Sequence, residues 1–517
     1  MGHDMIATRS AIEETPAMHH TTLSSRRALR TVSYGALGIL GGLLVLAACS
    51  SEEGSAQEHL GSGGSAGAAS GGSAGAETLP GPEEWNRDVT PPSTEAAATG
   101  RTSCQYKAGA LPKETHGAGA PMGKDIPIDH ILVIMSENRS FDHYLQGIRS
   151  IGIDADVAPD TYTNPDENGD DIAPARDTAY CFADTPHSWS SVHRQINGGK
   201  MDGFVTEASG SHETPMNATL EYIEGKRALV YNTEEDVPLV YWMAKNFSIG
   251  DRYFCSVPGA TWPNREYLWA ATSFGEKGND FPQEVDKTIF TYLNERQLDW
   301  KFYHQNTPSM AMLLDEYFKY KAEGRFFTLD DYYADAEAGT LPQVAIIDPG
   351  PDIRTWEGID EHPPAQTDIG QNWMSNVVRA LIASPNWESS ALFITYDEHG
   401  GLYDHVAPPK ACPPDDRRDS LADGEAFDMY GVRVPFFVVS PFAKQGYVSH
   451  NVYDHTSILR FIQARYTIPA LTNRDANAEA PFDMFDFDAP PARAALDVPE
   501  VAINQERLAK CESIWNQ

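Results

Sequence analysis

Four short runs of apolar, largely β-branched residues most strongly constrain what this chain can fold into. The runs are Ile131–Met135, Val344–Ile347, Ala391–Thr395 and Val434–Val439. Continuous apolar runs of this length are typical of strands that are buried on both faces, as in a parallel sheet. The runs therefore predict one large α/β domain with a mostly parallel central sheet.

A helical pattern separates two of these predicted strands. Apolar residues that would share one face of an amphipathic helix are Met374, Val377, Val378, Leu381 and Ile382. The pattern stops at Ser384-Pro385, where a helix is expected to end. A strand, a helix and a strand at this spacing form a βαβ unit. We expect the whole α/β domain to occupy residues 103–490.

Polar residues directly follow two of the predicted strands. Glu137 and Asn138 come after the first run, and Asp397 and Glu398 come after the third. Ligands bind beyond the C-terminal ends of strands in open parallel sheets, so these side chains are expected to meet. A strand-end carboxylate more often caps a helix or loop, but three converging carboxylates repel each other unless a cation neutralises them. The pattern favours one divalent metal ion, and Ca²⁺, Mg²⁺, Mn²⁺ and Zn²⁺ all stay open.

Thr261 lies where a turn containing Pro258 and Gly259 leads into a segment that is expected to be helical. A hydroxyl at a helix entrance usually caps the helix. The alternative is a nucleophile whose hydroxyl pKa is lowered by a metal ion. The local sequence alone favours the cap.

The N-terminal segment has the features of an export signal. Arg26 and Arg27 precede the apolar run Tyr34–Ala48, which is short for a membrane span and suits a signal-peptide core. The run leads into Leu-Ala-Ala-Cys ending at Cys49, which resembles the lipobox of bacterial lipoproteins. We therefore expect a signal peptide at 1–48, a lipidated Cys49 as membrane anchor and a place in the bacterial cell envelope, at the outer membrane or cell surface. An ordinary cleaved signal and a short anchor helix are the alternatives, and both the twin-arginine and the general export route stay open.

The segments flanking the predicted domain are expected to lack a core of their own. Residues 61–76 are all Gly, Ser or Ala, so 49–102 is expected to be a flexible tether. Residues 491–517 are expected to form a C-terminal tail. The cysteines beyond the lipobox lack metal-ligand spacing, and in an exported chain they can oxidise, so we expect two disulfides and one free thiol. These cysteines are Cys104, Cys181, Cys255, Cys412 and Cys511.

The net charge of −35, from 39 basic and 74 acidic side chains, excludes one class of partner. Nucleic-acid backbones are bound by Lys/Arg surfaces, so no nucleic-acid partner is expected. A phosphate substrate remains compatible with this charge, because a bound metal ion can invert the local field.

Six segments between Asp129 and Tyr466 carry a resemblance to one enzyme family. The most specific are IDHILVIMSENRSFDHYL, PGATWPNREYL and ITYDEHGGLYDHVAPP, and the others are HSWSSVHRQINGGKMDGF, DEHPPAQTDIGQNW and YDHTSILRFIQARY. Together they resemble the bacterial phosphoesterase family, which contains phosphatidylcholine-type phospholipases C, plant non-specific phospholipases C and bacterial acid phosphatases. The resemblance implies a three-layer α/β/α fold of the alkaline-phosphatase type.

The resemblance also implies roles for individual residues. The implied metal ligands are Glu137, Asn138, Thr261, Asp397 and Glu398. Thr261 is also the implied nucleophile, against the local preference for a cap. The histidines implied to contact the phosphoryl group or the leaving group are His187, His304 and His362. The other motif histidines, expected to be loop or supporting groups, are His143, His399, His405 and His455. Arg139 and Arg265 could bind phosphate or brace carboxylates, and bracing is favoured.

The implied mechanism is attack of Thr261 on phosphorus, followed by hydrolysis of a phosphothreonine intermediate, with His187 or His362 protonating the leaving alcohol. The expected function is a metal-dependent phosphoric ester hydrolase of the phospholipase C type, with a phospholipid as the expected substrate. The alternatives are an acid phosphatase acting on monoesters and an inactive lipoprotein that binds phosphorylated ligands.

Overall fold

The computed structural model describes residues 81–209, 224–350, 357–417, 427–488 and 496–515. The predicted signal peptide, the lipidation site Cys49 and the Gly/Ser/Ala run lie outside these residues. The strands are β1 His130–Ser136, β2 Asn164–Pro165, β3 Asp171–Ile172, β4 Ala175–Arg176, β5 Val230–Tyr231, β6 Ser248–Gly250, β7 Trp300–His304, β8 Phe326–Thr328, β9 Val344–Asp348, β10 Ser390–Tyr396, β11 Phe436–Val439 and β12 Tyr447–Ser449. The α-helices are α1 Thr94–Thr102, α2 Pro112–Thr115, α3 Phe141–Leu145, α4 Trp189–Ile196, α5 Phe204–Ala208, α6 Pro238–Asn246, α7 Thr261–Ala270, α8 Ile289–Glu295, α9 Leu314–Ala322, α10 Leu329–Ala338, α11 Thr367–Ala383, α12 His455–Tyr466, α13 Asn473–Ala476 and α14 Gln505–Trp515.

In the described part of the chain, eight strands form one sheet in the spatial order β12-β6-β11-β10-β1-β9-β7-β8. The strands from β10 to β8 in this order all run parallel. The prediction of a mostly parallel sheet is therefore confirmed. The fourth apolar run differs from the expectation, because β11 is antiparallel to both β10 and β6. It also begins only at Phe436, after Pro435, which has no N–H to give to the sheet.

Helices cover both faces of the sheet, which explains why its central strands are apolar throughout. Every residue of β9, β10 and β11 is buried, as is every residue of β1 after His130. Helices α6, α10 and α11 pack in one layer, and α7, α8 and α12 pack in another. The predicted three-layer α/β/α arrangement is confirmed, and α11 contains the predicted amphipathic helix. Across the described ranges, no helix has the length and apolar character that a membrane span requires.

The folded domain begins well before residue 103. Trp85 is fully buried and packs against Tyr292, with 5.0 Å between the ring centroids. Helix α1 follows, and the Ser93 hydroxyl caps it by accepting from the Ala96 N–H. The expected tether at 49–102 is therefore wrong from about Trp85 onward. A Pro-, Ala- and Thr-rich composition did not exclude folding, because Trp85 packs in the core and Arg87 and Arg101 form hydrogen bonds with the following residues of the domain.

The predicted C-terminal tail is packed on the domain over residues 496–515. Helix α14 carries Cys511, which forms a disulfide with Cys181, and Trp515 Nε1 donates to the Cys181 carbonyl oxygen at 2.8 Å. The tail assignment is therefore wrong for these residues. The sequence could not reveal the attachment, because the two cysteines are 330 residues apart.

The cysteine prediction is confirmed. A second disulfide joins Cys104 to Cys412, and Cys255 is a buried free thiol. Disulfides persist in oxidising compartments, so the pairing is consistent with an exported protein.

Candidate active site

The carboxyl ends of β1 and β10 bring Glu137 and Asp397 to the same edge of the sheet. The two strands are paired in register up to Ser136 and Tyr396. Glu137 and Asp397, the residues that follow the two strands, are therefore neighbours. The Asp397 N–H donates to the Ser136 carbonyl oxygen at 3.0 Å. The structure thus brings together the two acidic strand ends that the sequence singled out.

The side-chain amide of Asn138 makes no hydrogen bond with the described part of the protein. Its backbone is left-handed, with φ of 62°, and its N–H donates to Asp397 Oδ1 at 3.2 Å. Both Oδ1 and Nδ2 of Asn138 are buried and have no hydrogen-bond partner among the described residues. Gly400 makes room for this loop, since a Cβ there would lie 2.6 Å from the Asn138 Cβ. Buried polar atoms are rarely left unpaired, so the amide is a candidate ligand for an ion or a substrate oxygen.

Arg265 places its guanidinium among three carboxylates. Its Nη2 lies 3.0 Å from Glu137 Oε1, its Nε 3.2 Å from Asp397 Oδ2 and its Nη1 3.4 Å from Asp348 Oδ1. Burial would lower the pKa of Arg265, but the three carboxylates raise it above its ordinary value. Arg265 therefore braces carboxylates, as the sequence favoured. The sequence analysis missed Asp348, whose only signal was its place directly after the run Val344–Ile347.

This edge of the sheet carries more negative charge than Arg265 can balance. The buried carboxylates are Glu137, Asp348, Asp397 and Glu398. Within the described residues, the Arg265 guanidinium is the one cation that pairs with Glu137, Asp348 and Asp397, and Glu398 Oε1 has no hydrogen-bond partner there. Carboxylate oxygens and an unused amide, with an excess of negative charge, are what a divalent cation requires. The residues therefore fit a metal ion in charge and donor type.

The pKa values of the two acids that follow β10 shift in opposite directions. Burial raises the pKa of Asp397 well above its usual value, and Arg265 offsets part of this effect. Burial would also raise the pKa of Glu398, but His187 and His399 bring it below its usual value. Glu398 is therefore the acid that stays charged most readily.

Thr261 is the first residue of α7, and the capping position is Ala260. The local preference for a threonine cap is therefore wrong. The Thr261 hydroxyl makes no hydrogen bond within the described residues. Residues four apart lie on the same face of a helix, so Thr261 is one turn from Arg265 and its carboxylates. The start of a helix favours negative charge, which suits an incoming phosphate.

Two of the three predicted histidines lie side by side, and one of them, His187, faces Glu398. His187 Nε2 is 4.0 Å from Glu398 Oε1, and the centroids of the His187 and His362 rings are 5.9 Å apart. Asp184 joins them, since one ligand atom from each of Asp184, His187 and His362 lies within 4.8 Å of the others. The sequence analysis missed Asp184, whose only signal was its place three residues before His187.

His304 lies at the same edge of the sheet but apart from this group. It ends β7 and is paired in register with Asp348. Its Nδ1 is 2.6 Å from the Asn306 carbonyl oxygen, and its ring packs against Phe326. Within the described residues, no hydrogen bond or ion pair joins His304 to the carboxylates.

The other motif histidines make supporting contacts. His455 Nε2 donates to the Asp397 carbonyl oxygen at 2.7 Å, and His399 Nδ1 is 3.4 Å from Glu398 Oε2. The His455 ring therefore helps to fix the residues that follow β10, whereas His399 Nε2 donates to Gln195 Oε1 at 2.9 Å. The two that contact other parts of the chain are His143 and His405.

Arg139 braces a loop and does not extend toward the carboxylates. Its Nη2 donates to the Glu361 carbonyl oxygen, and its Nη1 is 3.2 Å from His143 Nε2. The Glu361 carboxylate in turn accepts from the hydroxyls of Tyr144 and Tyr396. Because Glu361 directly precedes His362, this network holds the loop that carries the histidine.

A mostly parallel sheet between helices, with buried acids at its carboxyl edge, is the architecture of an α/β protein with an acid-rich candidate site. Residues 128–469 match the model of the Phosphoesterase family. The chain therefore belongs to this family, and it is an enzyme that hydrolyses phosphoester bonds. The family resemblance seen in the sequence motifs is confirmed.

Relatives with assigned activities cover most of the chain. It is 33% identical over 417 residues to non-specific phospholipase C1 of Arabidopsis thaliana, covering 73% of this chain and 75% of that protein. It is 30% identical over 471 residues to phospholipase C B of Mycobacterium tuberculosis, covering 78% of this chain and 87% of that protein. Among solved structures, the lipoteichoic acid synthase LtaP from Listeria monocytogenes is 10% identical with a TM-score of 0.37, covering 74% of this chain and 82% of that one.

Proposed function

We propose that this protein is a metal-dependent phosphoric ester hydrolase of the phospholipase C type, which cleaves phosphodiesters through a phosphothreonine intermediate. One observation carries the proposal. The Thr261 hydroxyl is unbonded within the described residues at the start of α7, one turn from the arginine that binds Glu137 and Asp397. A hydroxyl at a helix N-terminus, one turn from the arginine that binds the acids, has surroundings that suit a nucleophile toward phosphorus.

Each group of the candidate site has a separate role in the proposed reaction. A divalent ion would be held by Glu137, Asn138, Asp397 and Glu398, and when bound it would lower the pKa of the Thr261 hydroxyl and polarise a phosphoryl oxygen. Thr261 Oγ1 attacks phosphorus in line with the departing alcohol. Asn138 Nδ2 donates to a phosphoryl oxygen, and the N-terminus of α7 stabilises the negative charge that gathers there. As Thr261 Oγ1 attacks, its proton passes to solvent, and His187 or His362 donates a proton to the departing alcohol oxygen. The same imidazole then takes a proton from the water that attacks phosphorus, and cleavage of the phosphothreonine, with a solvent proton returned to Oγ1, restores the Thr261 hydroxyl.

The relatives support a diester substrate, since both are named as phospholipases C. A monoesterase would use the same catalytic groups. The distinction therefore rests on the second substituent at phosphorus, and a substrate panel can decide it.

The purified protein is expected to hydrolyse p-nitrophenyl phosphorylcholine, a diester, faster than p-nitrophenyl phosphate, a monoester. A chelator is expected to abolish both activities and a divalent ion to restore them, because the site requires a cation. Release of p-nitrophenol measures both rates. Faster hydrolysis of the monoester would replace the diesterase with an acid phosphatase, and no hydrolysis of either ester would leave a ligand-binding lipoprotein.

We further propose that Cys49 anchors the protein to a membrane of the cell envelope through a lipid. The two disulfides support an oxidising compartment. The Cys49→Ser protein is expected to leave the membrane fraction, because the thiol that carries the lipid is lost. Detergent partitioning of cell fractions measures this, with Ser51→Ala as a neighbouring control that stays membrane-bound. Wild-type protein in the soluble fraction would contradict the anchor.

A further inference from the structure

We propose that helix α9 binds the surface of a zwitterionic phospholipid membrane, with Leu314 and Phe318 inserted among the lipids. The exposed fraction is 58% for Phe318 and 44% for Leu314, although both side chains are large and apolar. Residues four apart lie on the same face of a helix, so the two side chains form one apolar stripe. The solvent-facing side of a surface helix is normally polar, and the stripe therefore indicates that α9 contacts something other than water.

Aromatic side chains continue the stripe toward β8, the edge strand of the sheet. The ring centroids of Tyr317 and Phe318 are 5.3 Å apart, and those of Tyr317 and Phe326 are 5.2 Å apart. Both Tyr317 and Phe326 are partly exposed. We refer to Leu314, Tyr317, Phe318 and Phe326 as the α9 surface. Its tyrosine combines an apolar ring with a polar hydroxyl, which suits the boundary between lipid tails and water.

The α9 surface begins near the carboxylates of the candidate active site. Ser309 donates to Asp348 twice, from its N–H to Oδ2 at 2.8 Å and from its hydroxyl to Oδ1 at 2.6 Å. A single 3-10 helix, Ser309–Leu313, then leads directly into α9 at Leu314. Because such a helix rises about 2.0 Å per residue, Leu314 lies roughly 10 Å along the chain from Ser309. A membrane bound at α9 therefore lies next to the edge of the sheet where the proposed reaction takes place.

The charges of α9 favour a zwitterionic lipid over an anionic one. The helix carries two acidic and two basic side chains, which are Asp315, Glu316, Lys319 and Lys321, and the whole chain has a net charge of −35. Anionic lipids attract clusters of basic residues, and α9 has no excess of them. Lys321 Nζ donates to the Tyr317 hydroxyl at 2.9 Å. The stem of this lysine therefore covers apolar surface while its charge can reach the phosphate of a headgroup.

The α9 surface is too small to be the contact between two copies of this chain. A phenylalanine side chain offers about 200 Å² of surface, so the exposed parts of Leu314 and Phe318 together offer roughly 200 Å². A specific protein interface buries about 800 Å² on each partner. A lipid surface sets no such minimum, because the binding of a helix to it scales with whatever apolar area the helix buries.

The inference rests on the proposed function, because it takes a membrane phospholipid as the substrate. Phospholipids in a bilayer are reached only by an enzyme that lies against it. The α9 surface would hold the carboxylate edge of the sheet at the bilayer, and it has no part in the cleavage of a diester that is free in solution.

A fluorescent label at position 318 tests the contact where it is proposed. The full-length Phe318→Cys protein, labelled with an environment-sensitive nitrobenzoxadiazole dye, is mixed with phosphatidylcholine vesicles and a chelator, which prevents hydrolysis of the lipid. The emission is expected to rise by at least about twofold, because the dye moves from water into an apolar environment. Labelled Val452→Cys is the matched control, since Val452 is also exposed but follows β12, at the opposite end of the sheet. Its emission is expected to stay constant.

Turnover of two substrates separates membrane binding from chemistry. A protein with both Leu314→Asn and Phe318→Gln is expected to lose at least about tenfold in the hydrolysis of phosphatidylcholine vesicles, because two apolar side chains no longer enter the lipid. Its hydrolysis of the soluble diester p-nitrophenyl phosphorylcholine is expected to match wild type, since both side chains face solvent. Val452→Asn is expected to keep both activities. An equal loss on both substrates would overturn the proposal, because α9 would then support the site and not a membrane contact.

Unchanged emission of the label at position 318 in the presence of vesicles would also overturn it. So would a rise that requires anionic phosphatidylglycerol in the vesicles, or a rise that grows with protein concentration without lipid, which would mark a contact between copies. The label reports binding without turnover, so the two proposals can fail separately. A protein whose label responds to vesicles but which hydrolyses no ester keeps the membrane surface and removes the hydrolase. A protein that hydrolyses the soluble diester while the label does not respond keeps the hydrolase and removes the membrane surface.

Discussion

Replacement of Thr261 by alanine is expected to lower phosphodiester turnover by at least about 10³-fold, as loss of a catalytic nucleophile does in other hydrolases. The fold is expected to tolerate the change. Ala260 holds the capping position, and the hydroxyl makes no hydrogen bond within the described residues, so the free energy of unfolding should fall only by about 1 kcal/mol, the contribution of one buried methyl group. Release of p-nitrophenol from p-nitrophenyl phosphorylcholine, with a thermal melt of the same sample, measures both quantities.

Thr261→Ser is the matched control, because it keeps the hydroxyl and removes only a methyl group. It is expected to retain most of the turnover. Intact-mass measurement of quenched reactions is expected to find a phosphorylated chain in wild type and in Thr261→Ser, and none in Thr261→Ala. Undiminished turnover by the alanine variant would remove Thr261 from the mechanism and with it the phosphothreonine intermediate.

The centre of the sheet could be predicted because its strands are buried on both faces. β1, β9 and β10 appear in the sequence as unbroken apolar runs, which are typical of strands buried on both faces. β6, β8 and β12 have three residues each, which is too short for a periodic signal. The direction of β11 depends on its partners β10 and β6, and an apolar run carries no information on direction.

The candidate site could be predicted only where it follows strands. Glu137 and Asp397 stand directly after apolar runs, whereas the pairing of Arg265 with Asp348 joins residues 83 positions apart. Whether Thr261 caps α7 or is its first residue depends on a difference of one residue in the helix boundary. Sequence patterns do not locate a helix boundary to within one residue. Asp184 had no strand before it, and only the folded loop brings it to His187.

The stability of the site without metal is expected to depend on Arg265. Replacing it with methionine keeps most of the side-chain volume but leaves Glu137, Asp348 and Asp397 buried with no compensating charge. Breaking a buried ion pair by removing one partner typically costs about 3–5 kcal/mol, so we expect a loss of this size in the free energy of unfolding at neutral pH. Urea denaturation in the presence of a chelator measures it. Arg194→Met is the control, because the exposed pair of Arg194 with Glu207 is expected to contribute less than about 1 kcal/mol.

The pH dependence of the Arg265→Met protein distinguishes lost charge balance from lost packing. Arg265 lowers the pKa of Asp397 in the folded protein, so its removal raises that pKa further above the unfolded value. A carboxyl whose pKa is raised by folding stabilises the protein at low pH, and this contribution is lost as the pH rises through the folded pKa. The deficit relative to wild type should therefore shrink on acidification, and a divalent ion should shrink it at neutral pH by replacing the missing charge. A deficit that is the same at every pH and indifferent to metal would mean that Arg265 stabilises the edge of the sheet by packing alone, and that the carboxylates around it need no cation.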